Sequence, residues 1–340
     1  MPDRFLRGLA VFTDVYTRSL PLLGRSRKQA GPLERALRLE VVDRRVEAED
    51  VVSIQMSTSD GSALPQWFPG SHLDLHLASG RRRQYSLCGD PADRSCYRIA
   101  VRRITDGGGG SVEVHEELTP GRHVVVRGPR NAFPFVPHGS ALFLAGGIGI
   151  TPILPMVRAA DRLGMDWRFV YTGRSRATMP FLDELPAGRV LVRPDEEFGV
   201  PTAADLLADA PRDGAVYVCG PTPMLATVRA GFGDCAASAL HFERFAPPPV
   251  VDGKPFEVQL GRGGVVLQVP ADRSALEVIR EQLPGVAYSC RQGFCGTCRV
   301  RVLDGVVEHR DRRLTDRQRA EGEALVCVSR ADGGRLVLDL

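Results

Sequence analysis

Three cysteines on one short stretch, and a fourth far downstream, limit this chain more than any other feature. The stretch reads Tyr288-Ser289-Cys290-Arg291-Gln292-Gly293-Phe294-Cys295-Gly296-Thr297-Cys298, and Cys327 follows after 28 intervening residues. The spacing C-x₄-C-x₂-C…C suits the four thiolates of a [2Fe–2S] cluster. Two irons bridged by two sulfides need two thiolates each. One wrapping loop supplies three of them and a distant strand the fourth. Gly293 and Gly296 fit a loop that needs positive φ and close approach of the backbone. Small residues there leave backbone N–H groups free to point at the sulfurs. The competing readings are a zinc site and four unrelated core cysteines. Zinc sites usually pair two short cysteine clips, whereas here one clip holds three and the fourth stands alone. The cluster reading, with Cys290, Cys295, Cys298 and Cys327 as ligands, is therefore carried forward.

Residues 256–340, which hold this stretch, resemble the plant-type ferredoxins. A one-electron carrier at one end of 340 residues leaves room for something that feeds it, since roughly 100–200 residues make a domain. With 43% hydrophobic and 25% charged residues the chain reads as globular. A net charge of +3 gives no reason to propose nucleic acid. No run approaches the ~18 apolar residues of a transmembrane helix. Cys88, Cys96, Cys219 and Cys235 form no dense disulfide framework. They read as reduced, small apolar residues, which points to the cytoplasm.

Residues 1–35 form an extension. Phe5, Leu9, Phe12, Tyr16 and Leu20 recur at helical spacing among Arg4, Arg7 and Arg18, with Arg25, Arg27 and Lys28 beyond. Residues 1–30 can be read as a basic amphipathic helix for a membrane surface or a partner. Packing on the protein itself, or poor order at a terminus, is the slightly favoured alternative. Asp14 interrupts the apolar run, so a secretory signal is not expected.

Residues 36–137 carry short alternating runs, such as Leu37-Leu39-Val41, Val52-Ile54-Met56 and Leu73-Leu75-Leu77, separated by Gly and Pro. The pattern predicts an antiparallel β-barrel. His72 and His76 fall on the polar face of one strand, which makes a poor metal site. Arg83-Gln84-Tyr85-Ser86-Leu87 would suit a planar, anionic ligand, with Tyr85 against a ring and Arg83 on a phosphate. Arg102 and Arg103 precede Gly107-Gly108-Gly109-Gly110-Ser111. This glycine run opens a short helix from Val112 to Leu118 and makes a natural anion site. The plain alternative is a flexible loop with a serine cap.

Residues 138–245 change rhythm. The buried strand Ala141–Ala145 runs into Gly146-Gly147-Ile148-Gly149-Ile150-Thr151-Pro152 and a helix, the βα unit of nucleotide-binding folds. Pro152 is expected at the first helical position. Strands are also expected over 167–171, 215–219 and 236–241. Gly173-Arg174-Ser175-Arg176 follows the first, Cys219-Gly220-Pro221 ends the second, and Glu243-Arg244-Phe245 follows the third. Parallel strand ends of this kind bind ligands. Residues 246–255, with Pro247-Pro248-Pro249, read as a semi-rigid linker. Beyond it, Ser274 caps a helix to about Leu283, and Asp304-Gly305 predicts a tight hairpin.

The order R-x-Y-S-L, G-G-S, G-G-I-G-I-T-P, C-G-P and a C-terminal cluster motif resembles the phthalate dioxygenase reductase and vanillate demethylase reductase family. That resemblance implies a multidomain protein with three parts. They are an antiparallel β-barrel for flavin, an α/β parallel-sheet domain for NAD, and an α+β ferredoxin-like (β-grasp) domain for [2Fe–2S]. It also implies residue roles. Arg83, Gln84, Tyr85 and Ser86 would hold the flavin, and Arg102, Arg103, Gly110 and Ser111 its phosphate. Thr151 would sit near the ring and Phe245 would stack on it. Gly146, Gly147, Gly149, Pro152, Cys219, Gly220 and Pro221 would frame the nicotinamide nucleotide, with Thr151, Cys219 and Phe245 closest to the chemistry. Arg174, Ser175 and Arg176 lie where a 2′-phosphate would be read. No acidic residue stands in Gly173–Thr178, so NADPH stays open beside the family's NADH. The family often has Gly-Arg-Gly-Gly-Ser at the flavin phosphate, and Gly108 stands in place of that arginine. FMN is expected, with FAD left open.

The implied reaction passes electrons from NADH through flavin and cluster to a partner. That partner is a Rieske-type oxygenase or a haem-thiolate monooxygenase. The alternative is a redox sensor, or an electron carrier with a degenerate flavin site. Flavin content and NADH oxidation with cytochrome c separate the alternatives.

Overall fold

The computed structural model describes residues 36–340 apart from 106, 107, 138, 246 and 289. The amphipathic pattern of residues 1–30 lies outside the described residues.

Alternating apolar residues build the first layer. Strands β1 (Ala36–Ala48), β2 (Val51–Ser57), β3 (Ser71–His76), β4 (Arg82–Ser86), β5 (Tyr97–Arg102) and β6 (His123–Asn131) form one antiparallel sheet, in the order β4-β3-β6-β1-β2-β5. A Leu87–Ile99 bridge joins its two edges into a barrel. Leu39, Val41, Ile54, Met56, Leu73 and Leu75 point into a shared core. Helix α1 (Gly110–Glu117) lies between β5 and β6. The polar face of β3 does not face water: His72 is 5% and Asp74 6% exposed. Gln84 and Arg130 cover Asp74 at 2.7 and 2.8 Å, and the Phe294 ring lies 6.4 Å from that of His72.

The second layer is a parallel sheet of β7 (Ser140–Gly146), β8 (Asp166–Gly173), β9 (Val190–Pro194), β10 (Ala215–Cys219) and β11 (Ala239–Glu243), ordered β11-β10-β7-β8-β9. Helix α2 (Ile150–Arg162) follows β7 and α3 (Thr222–Gly231) follows β10. The strand order reverses between β7 and β10, so the crevice at their carboxyl ends is the expected ligand position. Two expectations shift. Pro152 is the third residue of α2, not the first. It is tolerated because first-turn N–H groups have no intrahelical acceptor. The last strand starts at Ala239 and runs to Glu243, which places that carboxylate at the strand end. Val51, Cys88, Ala100 and Phe133 share a core with α2, β7 and β8, so the barrel and the parallel sheet pack as one body.

The third layer is a sheet of β12 (Phe256–Leu260), β13 (Val266–Val269), β14 (Arg299–Asp304), β16 (Glu323–Leu325) and β18 (Arg335–Leu338), ordered β13-β12-β18-β14-β16. Strands β15 (Val307–Glu308) and β17 (Arg330–Ala331) pair separately. Helix α4 (Ala275–Gln282) packs its Leu276, Val278 and Ile279 on this sheet. Ser274 caps it in a capping box with Glu277, as the sequence predicts. The hairpin expected at Asp304-Gly305 is absent. The chain turns at Gly305 with φ 100°, but β14 pairs with β16 and β18, and β15 pairs with β17.

Candidate cluster, flavin and nucleotide sites

The cluster loop is shaped by residues that other side chains do not replace. Gly293 and Gly296 both have φ 78°, and Arg291 has φ 56°. A Cβ on Gly293 would meet a Val328 methyl at 2.7 Å. Cys290, Cys298 and Cys327 are buried, and N–H groups donate to sulfur from Gln292 to Cys290 at 3.3 Å and from Thr297 to Cys295 at 3.5 Å. The four thiols lie two and two: Cys290 is within hydrogen-bonding reach of Cys295, and Cys298 of Cys327. The hydrogen bond from Cys290 holds Cys295 down to about 5, and that from Cys327 lowers Cys298. Two pairs suit two irons with two thiolates each. The donor set fits a [2Fe–2S] cluster.

Strand β4 presents the predicted flavin residues next to that loop. Gln84 donates to Asp74 at 2.7 Å. Ser86, buried, hydrogen-bonds the Glu243 carboxyl. Arg83 donates to the Gly108 carbonyl at 3.1 Å and to the Tyr288 hydroxyl at 2.7 Å. A Cβ on Gly110 would meet Arg83 Nε at 2.4 Å, so arginine and glycine interlock. The Ser111 hydroxyl is taken up by the Ile104 backbone at 3.0 and 3.2 Å. Arg102 is exposed, and Arg103 pairs with Glu116 at 3.0 Å. Arg81, which the sequence reading passed over, donates to the same Gly108 carbonyl at 3.1 Å. Glycines and arginines fit an anionic group, because cationic forks and free helix N–H groups face it together.

The nucleotide crevice is equally compact. A Cβ on Gly149 would meet the Cys219 carbonyl oxygen at 2.2 Å, and one on Gly146 the Pro221 ring at 2.5 Å. These glycines let the turn after β7 lie against Cys219-Gly220-Pro221. Gly147 is left-handed with φ 53°. The Thr151 hydroxyl donates to the Ile148 carbonyl at 3.0 Å and fixes the turn. Cys219 is registered with Glu243 on β11, and burial raises its thiol. The Glu243 carboxyl is itself out of solvent, and one of its oxygens lacks a partner. Burial raises it to about 8, against the Ser86 hydrogen bond. Phe245 follows β11 and is 45% exposed. After β8, Arg174 is exposed, Ser175 makes a capping box with Thr178, and Arg176 pairs with Glu197 at 2.6 Å. An acidic side chain stands just after the neighbouring strand. Asp195 follows β9 with one carboxylate oxygen buried and unpartnered, and Glu196 N–H donates to the Arg174 carbonyl at 3.1 Å.

The cluster loop sits on both other parts. Gln292 Nε2 donates to the Arg244 carbonyl at 2.6 Å, Phe294 packs edge-on to His72, and Tyr288 meets Arg83.

Residues 258–332 match the family model of the 2Fe-2S iron-sulfur cluster binding domain. The chain is 36% identical over 314 residues to phthalate dioxygenase reductase of Burkholderia cepacia, covering 89% of this chain and 97% of that one. It belongs to the phthalate dioxygenase reductase family. The reductase subunit of tert-butanol monooxygenase / tert-amyl alcohol desaturase from Aquincola tertiaricarbonis is 39% identical over 328 residues, 90% of this chain and 96% of that one. A solved phthalate dioxygenase reductase superposes with a TM-score of 0.67 at 35% identity, over 90% of this chain and 98% of its own. It is described as a modular structure for electron transfer from pyridine nucleotides to [2Fe-2S]. An intact type IV self-sufficient cytochrome P450 monooxygenase matches 95% of this chain with 44% of its own, at TM-score 0.66 and 36% identity.

Proposed function

We propose that this chain is the reductase component of an oxygenase system. It takes electrons from NADH through flavin, FMN in preference to FAD, to a [2Fe–2S] cluster and on to an oxygenase. The observation that carries this is the seating of the cluster loop on both the flavin strands and the end of the parallel sheet. When bound, flavin accepts electron pairs and releases them singly to the cluster. The chain's own residues position and shield. Residues 36–137 hold the flavin through Arg83, Gln84, Tyr85 and Ser86, with Arg83 on its phosphate. Residues 138–245 hold the nicotinamide nucleotide between Gly146–Pro152 and Cys219–Pro221. Phe245 covers the flavin face and yields to nicotinamide. Residues 256–340 hold the cluster through Cys290, Cys295, Cys298 and Cys327. Asp195 reads the ribose hydroxyls, which favours NADH over NADPH.

The acceptor is a Rieske-type oxygenase or a haem-thiolate monooxygenase, a reading supported by similarity to a dioxygenase reductase and to a self-sufficient cytochrome P450 monooxygenase. A cytoplasmic location is supported by Cys88, Cys96, Cys219 and Cys235, which stand as free thiols. Among the described residues no helix is long and apolar enough to cross a membrane.

Cys295→Ser tests the route. The variant should lose cluster absorption and reduction of cytochrome c, yet keep flavin bleaching by NADH in stopped flow. Undiminished delivery to cytochrome c would show that electrons leave from the flavin instead. Cys88→Ser, in the core between barrel and sheet, should retain the cluster.

A further inference from the structure

Three arginines reach the glycine loop 108–110 from different directions. Gly109, φ 79°, has the Arg81 guanidinium 3.4 Å from where its Cβ would stand, and Gly110 has Arg83 at 2.4 Å. Gly108, φ 78°, is different. The space of its missing side chain is taken by Arg280 Nη2 at 3.3 Å and the Tyr288 hydroxyl at 3.3 Å. Both of these come from the ferredoxin part, Arg280 from α4 and Tyr288 from the approach to the cluster loop. Arg280 and Arg83 both lie against the Tyr288 ring, at 4.1 and 4.8 Å from its centroid.

Two guanidinium groups are thus held close together. Among the described residues neither has a carboxylate within ion-pair distance, while Arg81 is paired with Glu113 at 3.3 Å. Arg280 Nε is out of solvent and donates to nothing. Fixed like charges repel, and more strongly where water is excluded. An anion bridging them removes that repulsion and accepts the unused N–H. The first bond of α1 runs from Glu113 N–H to the Gly109 carbonyl at 2.9 Å. The N–H groups of Gly110, Ser111 and Val112 therefore stand outside the helix ladder.

We propose that Arg280, carried by the ferredoxin part, completes the flavin phosphate site of the barrel. It fills the space that Gly108 leaves empty. The proposal rests on the flavin reading above and goes beyond it, because phosphate held from both sides ties cofactor binding to docking of the cluster. Tyr288 is a positioning residue, stacked between the two arginines and hydrogen-bonded to Arg83.

The test uses full-length protein freed of flavin with its cluster retained. It is titrated with FMN and separately with riboflavin, which lacks the phosphate, by quenching of flavin fluorescence. Arg280→Gln should weaken FMN about tenfold or more, as loss of a hydrogen bond to a charged group does, while riboflavin affinity stays within about twofold. Arg280→Lys should recover part of the loss. Hydrogen exchange of residues 275–283 should slow on FMN addition in the parent protein and not in Arg280→Gln. If FMN binds both proteins equally, or FMN and riboflavin weaken together, the proposal falls. If the parent protein binds neither flavin, the flavin reading itself falls. Should Arg280→Gln fail to retain the cluster, Tyr288→Phe carries the same comparison. A loss confined to FMN supports the proposal, and no loss overturns it.

Discussion

Glu243 is a carboxylate whose chemistry departs far from its solution behaviour. Its carboxyl sits out of water at the end of β11, bonded to Ser86, with one oxygen unsatisfied. Burial raises its pKa from 4.5 to about 8, so near pH 7 the folded protein holds a proton that the unfolded chain has lost. The sign follows: below pH 4.5 both states are protonated and nothing is lost. As pH rises from there to about 8 the unfolded state gives up its proton first, and stability falls. Glu243→Gln removes that dependence. Thermal unfolding at pH 5 and pH 8 should show the variant gaining on the parent by an amount on the order of a few kcal/mol. A difference between the two proteins that stays constant across those pH values would mean the carboxyl is ionised in the fold. The sequence carried little signal for Glu243, because its meaning depends on a strand that ends two residues later than the apolar run suggests.

At the scale of elements, the legible features were those encoded by local spacing. The three cysteines of the cluster loop, the alternation of β1 to β3, the turn after β7 and the Ser274 cap all follow from near neighbours in the chain. What the sequence concealed comes from pairing between distant elements. The Asp304-Gly305 turn was readable, but its partners were not, since β14 and β15 pair away from each other. The acidic residue for the ribose was sought directly after β8. The proposed reader instead follows β9, registered so that Gly173 faces Pro194, the residue before Asp195. Asp195 has a buried oxygen available for a hydroxyl, and burial raises its pKa. It is poorly placed to tolerate a 2′-phosphate, which would bring like charge beside it. The parent protein should accordingly prefer NADH in kcat/KM. Asp195→Asn should erode the preference by about tenfold, the worth of one hydrogen bond to a charged group. A parent preference for NADPH would overturn this assignment and leave Arg174 and Arg176 as the readers of a 2′-phosphate.

For the whole molecule, the decisive feature is that one loop touches everything. Tyr288, Gln292 and Phe294 flank or lie between the cluster ligands, and each contacts a different element: β4, the exit of β11, and β3. The Tyr288–Arg83 contact alone joins residues 205 positions apart, beyond any pattern read along the chain. These contacts also help to explain why the polar face of β3 is buried. Gln84 and Arg130 cover Asp74 on that face and Phe294 lies beside His72, while Tyr288 and Gln292 add polar bonds to the docking. Gln292 is the cleanest probe, because its amide donates to the Arg244 carbonyl at 2.6 Å while its backbone N–H serves Cys290. Gln292→Ala removes the first bond and keeps the second. Losing one such bond costs about 1 kcal/mol, which lowers the docked fraction, and with it the rate of cluster bleaching after NADH is added, by about fivefold. The cluster spectrum and the rate of flavin bleaching should not change. If cluster bleaching is as fast in Gln292→Ala as in the parent, the contact does not hold the electron-transfer geometry. The docking would then rest on Tyr288 and Phe294 alone.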